Sequence, residues 1–187
     1  STLFPYTTLF RSGPGAETQG TAQPPGADSN VVAAHLSQAL KFETVSYGGG
    51  IKEPERNAAI ARFRAWMDQT YPYVFEAAPQ ELVGESLLFT WRGTNPNLAP
   101  VLLMAHMDVV PAVPGTEKDW EHAPFSGDIA GGFVWGRGAI DNKSALIAIL
   151  WTVFHSFGPG FFGSLGAWPQ SMMKLSFASY LATRLPP

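Results

Sequence analysis

Apolar residues recur between positions 31 and 153 with two spacings, one helical and one extended. In the segment 54–70, Ile60, Phe63 and Met67 fall on one face of a helix. Residues 100–105 form a short continuous apolar run, which is typical of a strand covered on both faces. The whole pattern predicts helices at 31–42, 54–70 and 144–153, and strands at 82–91, 100–105 and 133–135. This order of elements predicts an α/β fold in which helices flank a mixed sheet.

The two ends of the chain differ in composition from its middle. Residues 1–30 predict a disordered leader and linker, because 13–30 are rich in Gly, Pro, Ala, Gln and Thr. Residues 1–12 lack the basic start and unbroken apolar run of a signal peptide. They resemble a translated adapter sequence, so we interpret them as artefactual. Residues 31–150 have a globular pattern, whereas 151–187 carry aromatic, Gly and Pro residues without a carboxylate, which predicts an aberrant, frameshifted tail.

Composition and missing motifs exclude several classes of function. A net charge of −3 without a Lys/Arg-rich run argues against a nucleic-acid partner. Since the chain has no cysteine, a metal ion would have to be bound by His, Asp or Glu. The chain has no Gly-x-Ser-x-Gly motif, which argues against a serine hydrolase. The apolar stretch 147–168 is interrupted by glycine and proline and predicts no membrane span, and localisation is left open.

A His-x-Asp triplet at the end of the predicted strand 100–105 is the first candidate for chemistry. His106 and Asp108 lie two positions apart, so in extended chain both side chains point to the same side. A metal-bound imidazole usually donates its second N–H group to a carboxylate or carbonyl, and Asp108 is placed for that role. The alternative is a capped strand end with a solvated Asp108.

A second candidate lies just before the predicted helix 144–153. Two glycines bracket Arg137, which indicates a tight bend, and Asp141 follows at the start of the helix. A carboxylate can bridge two cations of a co-catalytic pair, but an Asp in this position is also a common helix N-cap. We interpret Arg137 as a brace of its loop, and His35, His122 and His155 as structural or surface residues.

Three motifs in order resemble a known family: LMAHMDVVP at 103–111, WEHAPFSG at 120–127 and WGRGAIDNK at 135–143. The stretch 99–150 resembles the dinuclear zinc aminoacylase and carboxypeptidase superfamily of metallopeptidases. Within it, the chain is most similar to the Gly-X carboxypeptidase (carboxypeptidase S) and N-acyl-amino-acid hydrolase branch. The resemblance implies that residues 31–150 are the amino-terminal part of a catalytic domain with a zinc-exopeptidase-like fold, truncated here.

The resemblance also implies roles for individual residues. His106 matches a ligand of one zinc ion, and Asp141 matches the carboxylate that bridges two. Asp108 matches the catalytic acidic residue that orients the His106 ring. The family commonly has a cis peptide bond after the bridging Asp, here between Asp141 and Asn142. Cobalt or manganese could occupy the same ligands as zinc.

The implied activity is hydrolysis of a C-terminal peptide bond or of an N-acyl amino acid amide, by water activated between two metal ions. The partner would be a small peptide or an N-acyl amino acid. The family's later ligands and its catalytic Glu are carboxylates, and no acidic residue follows Asp141, so we expect this chain to be inactive. The alternative is a non-catalytic fragment with at most weak metal binding. The sequence leaves the oligomeric state and the particular substrate open.

Overall fold

The computed structural model describes residues 28–47, 52–157 and 173–178. Within these ranges it contains α-helices, strands, a 3-10 turn at Glu117–Asp119 and an irregular turn at Ala139–Lys143, whose backbone is non-helical at Asp141 and Asn142. The helices are α1 (Ser29–Leu40), α2 (Glu53–Thr70), α3 (Pro72–Ala77) and α4 (Ser144–Phe157). The strands are β1 (Gln80–Val83), β2 (Ser86–Trp91), β3 (Val101–His106), β4 (Ile129–Ala130), β5 (Phe133–Val134) and β6 (Met173–Ala178).

Local signals account for where the first two helices begin. The side chain of Asp28 accepts a hydrogen bond from the Asn30 backbone N–H group at 2.9 Å, which caps α1. Helix α2 has Pro54 and two glutamates in its first turn, a composition that suits the positive end of the helix dipole. The predicted linker therefore overlaps α1 at its last residues, and its remainder, 1–27, lies outside the described residues.

Four strands form a mixed sheet in the order β1-β2-β6-β3. Strand β2 pairs antiparallel with both β1 and β6, whereas β3 pairs parallel with β6. Strands β4 and β5 form a separate two-stranded hairpin. The predicted class, α/β with a mixed sheet and helices, is confirmed.

The core lies between the helices and one face of this sheet. A single cluster of buried side chains includes Phe63 from α2, Phe75 from α3, Leu150 from α4, Phe89 from β2 and Phe177 from β6. The rings of Phe75 and Phe89 meet edge to face, with 4.9 Å between their centroids. The face of α2 predicted to be apolar is buried, since Ile60, Phe63 and Met67 are all inaccessible to solvent.

The opposite face of the sheet is exposed at β3. Leu102 and Met104 are 53% and 64% exposed, whereas Leu103 and Ala105, which alternate with them, face the core. The prediction that this strand is covered on both faces is therefore wrong for the part of the chain that the structure describes. The continuous apolar run reflects a second apolar surface that the described elements leave open.

Three further differences from the predicted elements concern turns and the tail. The strand predicted at 82–91 is a hairpin, because Gly84 has φ of 59° and reverses the chain between β1 and β2. The short helix α3 was not predicted. Strand β6 lies in the segment predicted to be aberrant, yet Leu175 and Phe177 are fully buried in the middle of the sheet. The division of the chain at residue 150 stays a prediction.

Candidate metal centre

The candidate centre lies where the carboxyl end of β3 meets the turn that precedes α4. Gly138, with φ of 86°, gives this turn its shape, and a Cβ atom there would approach Val109 Cγ1 to 2.5 Å. Asp141 follows in extended backbone, with φ of −116° and ψ of 95°. The peptide bond between Asp141 and Asn142 is cis, as the resemblance predicts. The turn thus brings Asp141 to the end of β3.

The imidazole ring of His106 contacts an aspartate on each side. Its Nδ1 atom lies 2.7 Å from the backbone oxygen of Asp108 and 3.5 Å from that residue's Oδ1 atom. Its Nε2 atom lies 2.8 Å from Oδ1 of Asp141. The Asp108 side chain is buried, whereas that of Asp141 is 87% exposed. The structure therefore brings the three predicted site residues together, with His106 in the middle.

The two aspartates change the protonation of His106. Its pKa is raised from the ordinary 6.5 to about 9, chiefly by the hydrogen bond to the Asp108 side chain and further by the bond to Asp141, against an opposing effect of burial. Without a metal ion, the ring is therefore an imidazolium at neutral pH. A cation that binds Nε2 must displace this proton, so its affinity will increase as pH rises.

The donor atoms fit one metal ion but do not complete its shell. With Nδ1 held by Asp108, the Nε2 atom of His106 and the carboxylate of Asp141 are the two donors that face each other. An imidazole nitrogen and a carboxylate oxygen suit zinc, which in proteins takes about four ligands. Residues 28–47, 52–157 and 173–178 contain no group of three or more His, Cys, Asp or Glu side chains that could hold a metal ion. The described site is thus a two-donor half-site.

Two residues beside Asp141 have contacts that sequence reasoning missed. The side-chain oxygen of Asn142 accepts a hydrogen bond from the His106 backbone N–H group at 3.0 Å. The ammonium group of Lys143 is fully buried and donates to the backbone oxygens of Ala39 and Phe42, at 2.9 and 2.8 Å. These contacts link the turn to β3 and to the end of α1. No local pattern signals them, because the partners are distant in sequence.

The alternative role of Asp141 as an N-cap of α4 is not the arrangement observed. Helix α4 begins at Ser144, and the carboxylate of Asp141 faces His106 instead. Arg137 lies in the same turn, where its backbone N–H group donates to the oxygen of Pro124 and its guanidinium group lies over the ring of Trp120, 5.0 Å from the ring centroid. This packing agrees with a bracing role for Arg137.

The remaining histidines have their own contacts away from this centre. His35 contacts the hydroxyl group of Tyr71 at 2.8 Å, and His155 contacts the backbone oxygen of Trp151 at 3.0 Å. His122 pairs with Asp128 at 2.9 Å. None of them adds a ligand to the pair formed by His106 and Asp141 within the described residues.

Comparison with known proteins gives consistent matches for this part of the chain. Residues 102–158 match peptidase family M20/M25/M40. N-fatty-acyl-amino acid synthase/hydrolase PM20D1 of Mus musculus is 38% identical over 156 residues, which cover 79% of this chain and 30% of that protein. Carboxypeptidase S of Saccharomyces cerevisiae is 46% identical over 119 residues, which cover 60% of this chain and 21% of that protein. The chain therefore spans less than a third of the length of these relatives.

Solved structures share the fold. An M20 family metallo-carboxypeptidase from Sulfolobus solfataricus superimposes with a TM-score of 0.56 at 22% identity, over 81% of this chain and 30% of that one. Human carnosine dipeptidase 1 also superimposes with a TM-score of 0.56, at 20% identity, over 82% of this chain and 34% of that one. At these identities, the likeness concerns the fold alone.

Proposed function

Because the chain belongs to peptidase family M20/M25/M40, as its three motifs predicted, we propose that it is part of the catalytic domain of a metal-dependent hydrolase. Residues 31–150 would supply the first ligands of a two-metal site. The observation that carries this proposal is the pair formed by His106 Nε2 and Asp141 Oδ1, which lie 2.8 Å apart at the end of a sheet.

Each residue of the pair would have a separate task. The Nε2 atom of His106 would bind one ion, while the backbone oxygen of Asp108 accepts a hydrogen bond from Nδ1–H and thereby favours the tautomer that leaves Nε2 free. The carboxylate of Asp141 would be a ligand shared by both ions. When bound, such a metal pair activates water and polarises the carbonyl group under attack. Zinc suits these donors, and cobalt or manganese could replace it.

The names of the relatives support a proposal for the substrate class. One matched relative is named as a synthase and hydrolase of N-fatty-acyl amino acids, and another as a carboxypeptidase. We therefore propose that the whole protein hydrolyses an amide bond next to a free carboxylate, either in a peptide or in an N-acyl amino acid. In both substrates the leaving group is an amino acid.

A second candidate applies to this chain by itself: a non-catalytic fragment with weak metal binding. The described residues provide two donors for an ion that takes about four. In addition, no Asp or Glu follows Asp141 in the sequence, so neither a further carboxylate ligand nor a carboxylate base can come from that part of the chain. We expect the 187-residue chain to bind zinc weakly and to hydrolyse neither substrate class.

Calorimetric titration of the full chain with Zn²⁺ tests the proposed ligands. We expect His106→Ala and Asp141→Asn each to weaken zinc binding by more than about tenfold. Removal of a residue that hydrogen-bonds to a metal ligand already lowers metal affinity by about tenfold or more, and removal of the ligand itself should lower it at least as much. His122→Ala is the matched control, because His122 forms a similar pair with Asp128 in another loop. If both site variants bind zinc as tightly as the unmodified chain, the proposed site is wrong.

A hydrolysis assay distinguishes the two candidates for the isolated chain. An N-acyl amino acid and a blocked dipeptide with a free carboxylate would be incubated with the chain and saturating Zn²⁺. We expect no turnover above the zinc blank. Zinc-dependent turnover that His106→Ala abolishes would contradict the non-catalytic alternative.

A further inference from the structure

We infer that Ser46 is a positioning residue of the metal centre, because its hydroxyl group fixes the Asp108 carboxylate that lies beside the Nδ1 atom of His106. This inference rests on the proposed function, because it assigns Ser46 a role toward a metal ligand. Ser46 lies outside the three family-like motifs, and its contact with the site joins parts of the chain that are distant in sequence.

A short parallel bridge places Ser46 beside the site. Val45 pairs with Val109 just beyond the end of β3. The backbone N–H group of Ser46 donates to the oxygen of Val109 at 2.9 Å, and that of Val109 donates to the oxygen of Thr44 at 3.0 Å. Two backbone hydrogen bonds therefore set the register of Ser46 against Asp108.

The hydroxyl group of Ser46 donates to Oδ2 of Asp108 at 2.7 Å. The other carboxylate oxygen, Oδ1, faces Nδ1 of His106 at 3.5 Å. The two oxygens of Asp108 thus have different partners, one on each side, and the plane of the carboxylate is defined. Because Asp108 is only 4% exposed, its charge depends on donors from the protein, and a hydrogen bond to an ionised acceptor is among the stronger ones.

Thr44, two residues earlier, provides a natural comparison. Its hydroxyl group donates to the backbone oxygen of Met107 at 2.6 Å, so it stabilises the same bridge without touching the carboxylate. Loss of either hydroxyl group removes one hydrogen bond from this segment. Only the loss of the Ser46 hydroxyl group removes a donor to Asp108. If Ser46 has a purely structural role, loss of either hydroxyl group should change the affinity for a metal ion by a similar amount. If Ser46 is a positioning residue, only the loss of its own hydroxyl group should lower that affinity.

The test is Co²⁺ binding to the full chain, followed by the visible absorption of the bound ion. We expect Ser46→Ala to weaken Co²⁺ binding by about tenfold, the lower end of what loss of an outer partner of a ligand costs. Ser46→Thr retains the hydroxyl group and should restore binding, and Thr44→Val should bind as the unmodified chain does. Unchanged affinity in Ser46→Ala, or an equal loss in Thr44→Val, would overturn the inference.

A second measurement needs no metal and separates this inference from the proposed function. The solvent exchange of the His106 Nδ1–H proton, followed by NMR in the metal-free chain, reports how firmly Asp108 holds the ring. We expect faster exchange in Ser46→Ala than in the unmodified chain or in Thr44→Val. Equal exchange in all three would rule out positioning by Ser46. If the unmodified chain fails to bind Co²⁺ while exchange still differs, the metal-binding proposal fails and the role of Ser46 stands.

Discussion

Lys143 carries its ammonium group into the interior beneath the candidate metal centre. It donates to two backbone oxygens near the end of α1 and lies 4.9 Å from the ring of Phe63. Burial lowers its pKa from the ordinary 10.5 to about 7, against a smaller opposing effect of Asp108. At pH 7 and above, the neutral amine can still donate both hydrogen bonds. The charge of Lys143 is therefore dispensable for its structural contacts.

This lowered pKa predicts how stability changes with pH. Between about pH 7 and 10.5, the unfolded chain holds a proton on Lys143 that the folded chain releases, so the contribution of Lys143 to the free energy of unfolding increases with pH. We expect Lys143→Met to lose this increase. Urea unfolding at pH 7 and pH 9.5 measures the change. Between these two pH values, the free energy of unfolding should rise less in the variant than in the unmodified chain.

Lys41→Met is the control for this prediction, because Lys41 is exposed at the end of the same helix α1. It should leave the pH dependence unchanged. His106 titrates in the same pH range with the opposite sign, since its raised pKa adds stability that is lost as pH rises through about 9. Comparing the variants with the unmodified chain cancels that common contribution. Identical pH dependence in all three chains would show that Lys143 does not titrate as expected.

At the scale of the elements, the local sequence pattern sufficed to predict a helix whose apolar residues recur on one face over several turns. Helix α2 could be predicted because Ile60, Phe63 and Met67 recur at helical spacing, and β3 because its apolar run is short and bounded by turn residues. His106, Asp108 and Asp141 could be proposed as a site because they lie in motifs. The contact of Ser46 with Asp108 could not, since it depends on pairing between distant segments.

Strand β6 shows the limit of such reasoning most clearly. Its residues stand in a segment whose composition predicted an aberrant tail, and alternation over six residues is a weak signal. In the structure, Leu175 pairs with Phe89 on one side and with Leu103 on the other. Its place in the sheet depends on those partners, which the local sequence does not reveal.

The central position of β6 predicts a large effect of truncating its core side chain. Leu175 is fully buried, so Leu175→Ala should lower the free energy of unfolding by about 2–5 kcal/mol. Lys174→Ala, its neighbour on the opposite face, should cost much less. Urea unfolding followed by tryptophan fluorescence measures both. If the two variants are equally stable, β6 does not form part of the folded core.

At the scale of the whole molecule, the sheet has one covered and one open face. Leu102 and Met104 stand exposed on β3, with Leu88 half-buried on β2 of the same sheet. Strand β3 is also the edge of the described sheet. An exposed apolar edge strand favours association with other chains. His106 lies on this strand as well, so the candidate centre opens toward the uncovered side.

We therefore expect the chain to self-associate. Replacing both exposed side chains, as Leu102→Lys with Met104→Lys, should shift it toward the monomer, because charges on an edge strand oppose pairing. Light scattering coupled to gel filtration measures the change. The control places the two lysines at Val113 and Ile140 instead, which are also exposed but lie outside the strands. A monomeric unmodified chain would contradict the expectation.

From the position of β6 between β2 and β3 we also expect a particular order of folding. The β1–β2 hairpin and the helices α1 and α2 depend on local contacts and can form early, whereas the pairing of β3 with β6 joins segments far apart in the chain. Such pairing must first overcome the entropy of closing a long loop. During synthesis, β3 leaves the ribosome well before the strand that will anchor it. We therefore expect the end of β3 that carries His106 to become ordered only after β6 has been inserted between β2 and β3.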